Sequence, residues 1–247
     1  MKILPDVHIV GGGAYAFDIS NRLDCHCYIV NGGDEMVLID AGFNGADEIL
    51  ENIKNDGLDP GKISKIFITH YHADHCGAIA PLKRLLGNVP VVTSSESAVA
   101  IREADAELIG LEWAQSFDFY PADFVWEGCE VEQEMADGDR FQVGGLALEA
   151  IATPGHCAGH FNLLLRGGDR SCLFSSDHVF WGGKIILQNV HDSSVQEMAA
   201  SMNKLLDYEF EALLPGHLTI SLRNGKRHVQ AAADSFNRIG LPPGLLD

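Results

Sequence analysis

Residues 69–77 read THYHADHCG, and this stretch restricts the fold and the chemistry of the chain more than any other. Three histidines and one aspartate fall within six positions, at His70, His72, Asp74 and His75. Crowded imidazole and carboxylate groups lose hydration, and a divalent cation that binds them offsets this cost. The stretch therefore predicts a metal site; the alternative is a polar turn that binds no metal.

Three other apolar runs also end in a histidine or an aspartate. LEAIATPGH ends at His156, SCLFSSD ends at Asp177 and EALLPGH ends at His217, much as KIFIT leads into the metal motif. If each run is a strand, four strand ends present ligand-type side chains. We therefore expect all of these side chains at one edge of the sheets, where α/β scaffolds build their sites.

The spacing within the motif separates two pairs of ligands. His70 and His72 lie two residues apart beyond the KIFIT strand, and an extended chain places such residues on the same side. We expect both to reach one ion. Asp74 and His75 are expected in the turn that opens the next helix, from which they point at a second metal position.

Short apolar runs and helical patterns alternate along the chain. The runs are bounded by Gly, Asn or Asp, as strands are, and they are CYIV, MVLID, KIFIT, VPVV, LALEAIAT, FNLLL and CLFSS. Helical spacing of apolar residues follows Asn44 and the capping box Ser194-x-x-Glu197. Because the chain has no repeat or Pro/Ser-rich linker, we predict one mixed α/β domain over residues 1–247, with helix-covered sheets and a C-terminal helix at about 225–239.

Aromatic side chains scattered among acidic ones mark residues 95–136. They are Trp113, Phe117, Phe119, Tyr120, Phe124 and Trp126. Because this segment lies between two metal motifs, we predict a helical flap over a pocket at about 95–136. The alternative is an ordinary helix and loop that pack their own aromatic side chains.

Net charge and the N-terminal sequence restrict partners and location. The chain has 35 acidic and 17 basic residues, a net charge of −18, and no basic cluster longer than GKRH. We therefore expect no nucleic acid and no anionic membrane as partner.

The first residues lack the apolar core of a signal peptide, and no run reaches the ~18 apolar residues that span a bilayer. A cytoplasmic protein with reduced thiols is expected. Cys25-His26-Cys27 is either a soft metal clip or part of a buried strand.

The order His-x-His-x-Asp-His, Pro-Gly-His, Asp, Pro-Gly-His resembles the metallo-β-lactamase superfamily, over about residues 25–217. This resemblance implies an αββα sandwich, in which two helix-covered sheets pack face to face. It also implies two metal ions. His70, His72 and His156 would hold one ion. Asp74, His75 and His217 would hold the other, and Asp177 would bridge the two.

Further residues near these ligands have two interpretations each. Asp40 in VLIDAG matches the aspartate that supports the ligand turn in this family, or it only forms a turn. His178 and His160 either orient ligands and substrate or are hydrogen-bonded structural histidines. Trp181 and Lys184 either line the pocket or belong to the core and the surface, respectively.

Asp177 stands where the B1 and B2 β-lactamases carry a cysteine ligand, which argues against a drug-resistance enzyme. The chain is more similar to the glyoxalase II, acyl-homoserine lactonase and related thioesterase branches. This resemblance implies hydrolysis of a small carbonyl substrate, a thioester, lactone or ester, by a hydroxide that bridges the metals. Asp74 and Asp177 would then be the catalytic carboxylates.

The sequence is also compatible with other functions, metals and assemblies. One alternative resembles the persulfide dioxygenases, which use a single iron, and a catalytically silent metal-binding regulator is another. A phosphodiesterase or nuclease of the same superfamily is disfavoured by the acidic charge. Zinc is the metal expected, although His and Asp ligands also accept iron or manganese. The oligomeric state is open, with a homodimer among the alternatives.

Overall fold

Two β-sheets form the centres of two successive parts of the chain. The computed structural model describes residues 1–188 and 190–245, and the chain divides into two compact units, Met1–Met135 and Ala136–Asp247. Each unit contains one sheet and its own helices. The mixed α/β fold with two sheets is therefore confirmed, while the single domain over residues 1–247 stays a prediction.

The first unit has a seven-stranded mixed sheet whose strands are adjacent in chain order. Neighbours are antiparallel from the first to the fourth strand and parallel from there on. The strands are β1 (Lys2–Leu4), β2 (Val7–Gly11), β3 (Cys27–Asn31), β4 (Met36–Ile39), β5 (Ile63–Phe67), β6 (Val91–Thr93) and β7 (Gln133–Glu134). Parallel neighbours need crossover connections, which contain helices α1 (Ala46–Asn55), α2 (Ala73–Cys76), α3 (Ile79–Leu85), α4 (Ser95–Glu103) and α5 (Leu111–Ser116).

Helix α1 packs through an apolar face and a polar side chain. Ile49 and Ile53 are fully buried, and residues four apart lie on the same face of a helix. The side-chain amide of Asn52 donates hydrogen bonds to the carbonyls of Val10 (3.0 Å) and Ile19 (2.8 Å). These contacts attach α1 to β2 and to the loop that follows it.

The segment 95–136 is helical only in its first half. Helix α4 ends at Glu103 and helix α5 ends at Ser116, and residues 117–132 contain neither helix nor strand. Trp113 and Phe117 are exposed, with ring centroids 4.9 Å apart, whereas Tyr120 and Trp126 are buried. The segment thus packs some aromatic side chains on each other and buries others; its role as a flap stays a prediction.

The second unit has a five-stranded sheet of order β12-β11-β10-β9-β8. The strands are β8 (Arg140–Val143), β9 (Leu146–Ala152), β10 (Phe161–Arg166), β11 (Cys172–Ser176) and β12 (Ala212–Pro215), and the helices are α6 (Val195–Leu205) and α7 (Lys226–Asn237). Strands β8 to β11 pair antiparallel, and β11 and β12 pair parallel. Strands β9, β11 and β12 therefore run in one direction, so their carboxyl ends lie at the same edge.

Helices α6 and α7 share one apolar core with this sheet. Met198 and Met202 of α6 and Val229 of α7 cluster with Ile151 and Leu173 of the strands. Helix α6 begins at the predicted capping box: the Ser194 hydroxyl accepts a hydrogen bond from the backbone N–H of Glu197, at 3.2 Å.

Within residues 1–188 and 190–245, we find no helix with the length and hydropathy needed to cross a bilayer. The cytoplasmic location stays a prediction.

His228 connects α7 to two loops of the second unit. Its Nδ1 accepts a hydrogen bond from the backbone N–H of Gly182 (2.9 Å), and its Nε2 lies 3.1 Å from the Ser221 hydroxyl. Burial lowers the pKa of His228 to about 4, and the charge of Arg227 adds to this effect. The folded protein therefore holds this imidazole in its neutral form, because protonation of Nδ1 would break the bond from Gly182.

This pKa predicts that the protein loses stability in mildly acidic solution. Between the ordinary histidine pKa of about 6.5 and a pKa of about 4, the unfolded chain binds a proton at His228 that the folded chain excludes. His228→Gln should remove about 1–2 kcal/mol of the stability loss between pH 7 and pH 4.5, allowing for water near the ring. Urea unfolding of both proteins at the two pH values measures it. The control is His191→Gln, because the His191 side chain is 65% exposed. If stability depended on pH equally in the His228 variant and in the parent protein, the lowered pKa of His228 would be contradicted.

Candidate metal centre

Asp40 ties the metal motif of the first unit to the end of the sheet. It follows β4, and the parallel neighbour β5 leads into Thr69. Oδ1 of Asp40 accepts a hydrogen bond from the Thr69 backbone N–H (2.8 Å), and the Thr69 hydroxyl lies 3.0 and 2.9 Å from the two carboxylate oxygens. Oδ2 lies 2.9 Å from Nδ1 of His75. Because a carboxylate can only accept, Nδ1 carries the proton and Nε2 is the atom available to a metal.

The remaining residues of the motif lie beside His75. Nε2 of His70 is 3.1 Å from Nδ1 of His72, and the rings of His70 and His75 are 4.1 Å apart. Oδ2 of Asp74 lies 3.7 Å from Nε2 of His75. Four ligand-type side chains of the first unit are therefore close neighbours, and all but His72 are buried.

The sequence pattern predicts Asp74 and His75 in the turn that opens the following helix, and this prediction is wrong. They lie in α2, a four-residue helix that is separate from α3. The N–H of Ala78 donates to the carbonyl of Gly42 (3.0 Å), and the carbonyl of Asp74 accepts from the N–H of Cys25 (3.1 Å). These two bonds replace the helical bond between Ala78 and Asp74, so the helix stops.

Asp177 is the centre of the ligand-type residues of the second unit. Its Oδ2 lies 3.7 Å from Nε2 of His156 and 3.5 Å from Nε2 of His217. The three residues follow β9, β11 and β12, whose carboxyl ends share one edge. All three side chains are buried, so a shared carboxylate faces two imidazoles away from bulk water.

The Pro-Gly-His turn after β9 aims His156 at Asp177. Gly155 has φ of +133°, and a Cβ at this position would lie 2.3 Å from the backbone nitrogen of Met198. Glycine is therefore required here for close approach to α6. Nδ1 of His156 lies 3.2 Å from the carbonyl of Ile186, which orients Nε2 toward the carboxylate.

The other predicted residues of the second unit have varied surroundings. His178 is fully buried, and burial together with the charge of His156 lowers its pKa to about 3. Nδ1 of His160 is 3.0 Å from the Thr153 hydroxyl, as in a hydrogen-bonded structural histidine. Trp181 is 48% exposed and its ring lies 5.8 Å from that of His228. Lys184 Nζ donates to the carbonyl of Leu245 at 3.4 Å. Contact of Trp181 or Lys184 with a substrate stays a prediction.

Two residues of the first unit have roles that the sequence did not reveal. The thiol of Cys25 lies within 4.8 Å of ligand atoms of Asp40 and His75. Burial raises the pKa of this thiol well above its ordinary value. Cys25 and Cys27 are both fully buried, and Cys27 is the first residue of β3, in line with the buried-strand interpretation. The hydroxyl of Tyr120 donates a hydrogen bond to Oδ1 of Asp74 at 2.8 Å. The position of Tyr120 among scattered aromatic residues gave no signal for this contact.

Comparison with curated proteins finds relatives with hydrolase names. The chain is 26% identical over 191 residues to a β-lactamase-like protein 2 homologue of Caenorhabditis elegans, covering 77% of this chain and 54% of that protein. It is 24% identical over 234 residues to an atrochrysone carboxyl ACP thioesterase of Aspergillus fumigatus, covering 94% of this chain and 61% of that protein. The chain thus spans less than two thirds of the length of these relatives.

Solved structures share the fold at low sequence identity. A metallo-β-lactamase of Cronobacter sakazakii with a HARLDQ motif has a TM-score of 0.72 at 21% identity, covering 97% of this chain and 96% of that one. A subclass B3 metallo-β-lactamase of Bradyrhizobium japonicum has a TM-score of 0.71 at 19% identity, covering 97% and 91%. The predicted metallo-β-lactamase fold is therefore confirmed.

Family membership rests on a match that extends through both units. A family model described as the metallo-β-lactamase superfamily matches residues 20–217. That range begins before Asp40 and ends at His217, so it includes each ligand-type residue described above. The resemblance drawn from these residues is thus confirmed, and the chain belongs to the metallo-β-lactamase superfamily.

Proposed function

We propose that this protein is a hydrolase that cleaves a small carbonyl compound, a thioester, lactone or ester, with two divalent metal ions bound. Family membership and the relatives named as thioesterases support hydrolysis. The position of Asp177 carries the proposal: one carboxylate lies within 3.7 Å of one imidazole and 3.5 Å of another. A carboxylate in that position is suited to be shared by two ions.

The proposed ligand sets follow the assignment made from the sequence. In that assignment, which the family resemblance implies, His70, His72 and His156 would hold one ion, Asp74, His75 and His217 would hold the other, and Asp177 would be shared. The donor chemistry fits, because imidazole nitrogen and carboxylate oxygen bind zinc and also accept iron and manganese. Because imidazole nitrogens are most of the proposed ligand atoms and suit zinc, zinc is our first choice for the metal. The bound ions would polarise the substrate carbonyl and lower the pKa of an attacking water.

Residues around the ligands hold these atoms in the orientation that the reaction needs. Asp40 fixes the proton of His75 on Nδ1 and so keeps Nε2 as a donor atom. The carbonyl of Ile186 has the same effect on His156. Because these partners are set before substrate binds, little reorganisation is needed during the reaction.

The charge of the chain supports a small carbonyl substrate rather than a nucleic acid. Two bound divalent cations would outweigh the charges of Asp74 and Asp177, so the site would be positive inside a chain with a net charge of −18. An anionic or polarised carbonyl group is attracted to such a site, whereas the acidic surface repels a polyanion.

Metal content is the first measurement. Elemental analysis of the purified protein should give close to two divalent ions per chain. Removal of the ions by a chelator should lower the melting temperature by about 5–10 °C, because ligands that bind only the folded state stabilise it. One iron and no second ion would favour the dioxygenase alternative. An unchanged melting temperature after verified metal removal would argue against the proposed ligand sets.

A substrate panel separates the proposed activity from its alternatives. We expect turnover of at least one short-chain thioester, lactone or ester, with no cleavage of RNA or of a phosphodiester. The panel includes a β-lactam, because the fold occurs in β-lactamases. Turnover of RNA or of the β-lactam alone would contradict the proposed substrate class.

Replacement of Asp177 tests the shared carboxylate. Asp177→Asn keeps the shape and removes the charge, so at least one ion should bind more weakly and kcat should fall by about 100-fold or more. The matched control is Asp207→Asn, an exposed residue of the same unit. Elemental analysis and kcat are compared for the two variants and the parent protein. Two ions and near-parent turnover in Asp177→Asn would require a different assignment of the ligands.

A further inference from the structure

Asp74 presents its two carboxylate oxygens to different partners in the first unit. Oδ1 accepts a hydrogen bond from the Tyr120 hydroxyl at 2.8 Å, while Oδ2 lies 3.7 Å from Nε2 of His75. Asp74 and Tyr120 are both buried. The oxygen that faces the imidazole is thus distinguished from the oxygen that faces the phenol.

We propose that Tyr120 is a positioning residue for the metal ion held by Asp74 and His75, which rests on the ligand sets of the proposed function. The terminal torsion of an aspartate is broad, so its carboxylate needs a partner to hold one orientation. The phenol holds Oδ1, so Oδ2 would be the oxygen available to the metal. Such partners of ligating carboxylates change metal affinity when they are removed.

The ring of Tyr120 is itself held in place. It stacks on Phe43 with centroids 5.0 Å apart and an interplanar angle of 13°. Phe43 is buried, contacts Phe124 at 4.0 Å and donates its backbone N–H to Oδ1 of Asp24 at 2.7 Å. Because these contacts fix the ring, little side-chain entropy is lost when the hydroxyl bonds to Asp74.

A second contact joins the same part of the chain to the ligand-bearing helix. The indole N–H of Trp126 donates to the carbonyl of Cys76, the last residue of α2, at 3.3 Å. Residues 120–126 are therefore attached to α2 at two points. The position of this part of the segment 95–136 and the orientation of Asp74 are linked through Tyr120.

The experiment measures how tightly the zinc-loaded protein retains its ions. Tyr120→Phe keeps the ring on Phe43 and removes only the hydroxyl. We expect one of the two ions to be lost at a chelator concentration about 10-fold to 100-fold lower than in the parent protein, with the other ion retained. Tyr15→Phe, which makes the same change at a tyrosine that is 49% exposed, should leave both ions as tightly bound as before.

A double-mutant cycle tests whether Tyr120 acts through Asp74. In a protein that already carries Asp74→Asn, the additional change Tyr120→Phe should cause no further loss of metal. Urea unfolding of the metal-free proteins should give similar midpoints for Tyr120→Phe and the parent. An additional loss of metal in the Asp74→Asn background, or a large fall of the metal-free midpoint, would overturn the proposal in favour of a packing role.

Metal retention and turnover are measured separately, so the two proposals can fail independently. A parent protein that holds two ions but cleaves no member of the substrate panel overturns the proposed function and leaves Tyr120 to be judged by retention. A Tyr120→Phe variant that cleaves substrate and holds both ions as tightly as the parent overturns the role of Tyr120 alone.

Discussion

The carboxylate of Asp40 connects three parts of the first unit through its two oxygens. It follows one strand, accepts hydrogen bonds from Thr69 beyond the neighbouring strand, and holds Nδ1 of His75. Asp40 itself has φ of 60°, a left-handed conformation that aspartate tolerates better than most residues. The rest of the metal motif depends on this interaction. It fixes the position at which the motif begins, and it determines which nitrogen of His75 is available to a metal.

The second unit reaches a comparable arrangement by strand direction. Strands β9, β11 and β12 point the same way, so His156, Asp177 and His217 follow neighbouring carboxyl ends. Backbone geometry contributes to this arrangement at Gly155 and at Ser176, which has φ of 45°. Side-chain hydrogen bonds thus position the ligands of the first unit, whereas strand direction and the contact of His156 with the Ile186 carbonyl position those of the second.

The ligand-type residues and many strands were predictable because each follows from a local pattern. A strand that ends in His or Asp can be recognised within about ten residues, as at His217. The strands β1 and β2 were not among the predicted strands; Pro5 and Asp6 form the turn between them. The bond between Tyr120 and Asp74 joins residues 46 positions apart. No local pattern distinguishes Tyr120 from the exposed Phe117, so this contact depends on how the loop folds back.

Burial of the thiols gives the chain internal markers of opening. Cys25, Cys27 and Cys76 are fully buried in the first unit and Cys157 and Cys172 in the second, and burial raises the pKa of each of the first three. The thiolate is the nucleophile that attacks an alkylating reagent, so these buried sulfur atoms react only when the surrounding structure opens. The rate at which each cysteine is alkylated therefore records local unfolding of its own unit. Alkylation rates of the cysteines therefore report the opening of each of the two units separately.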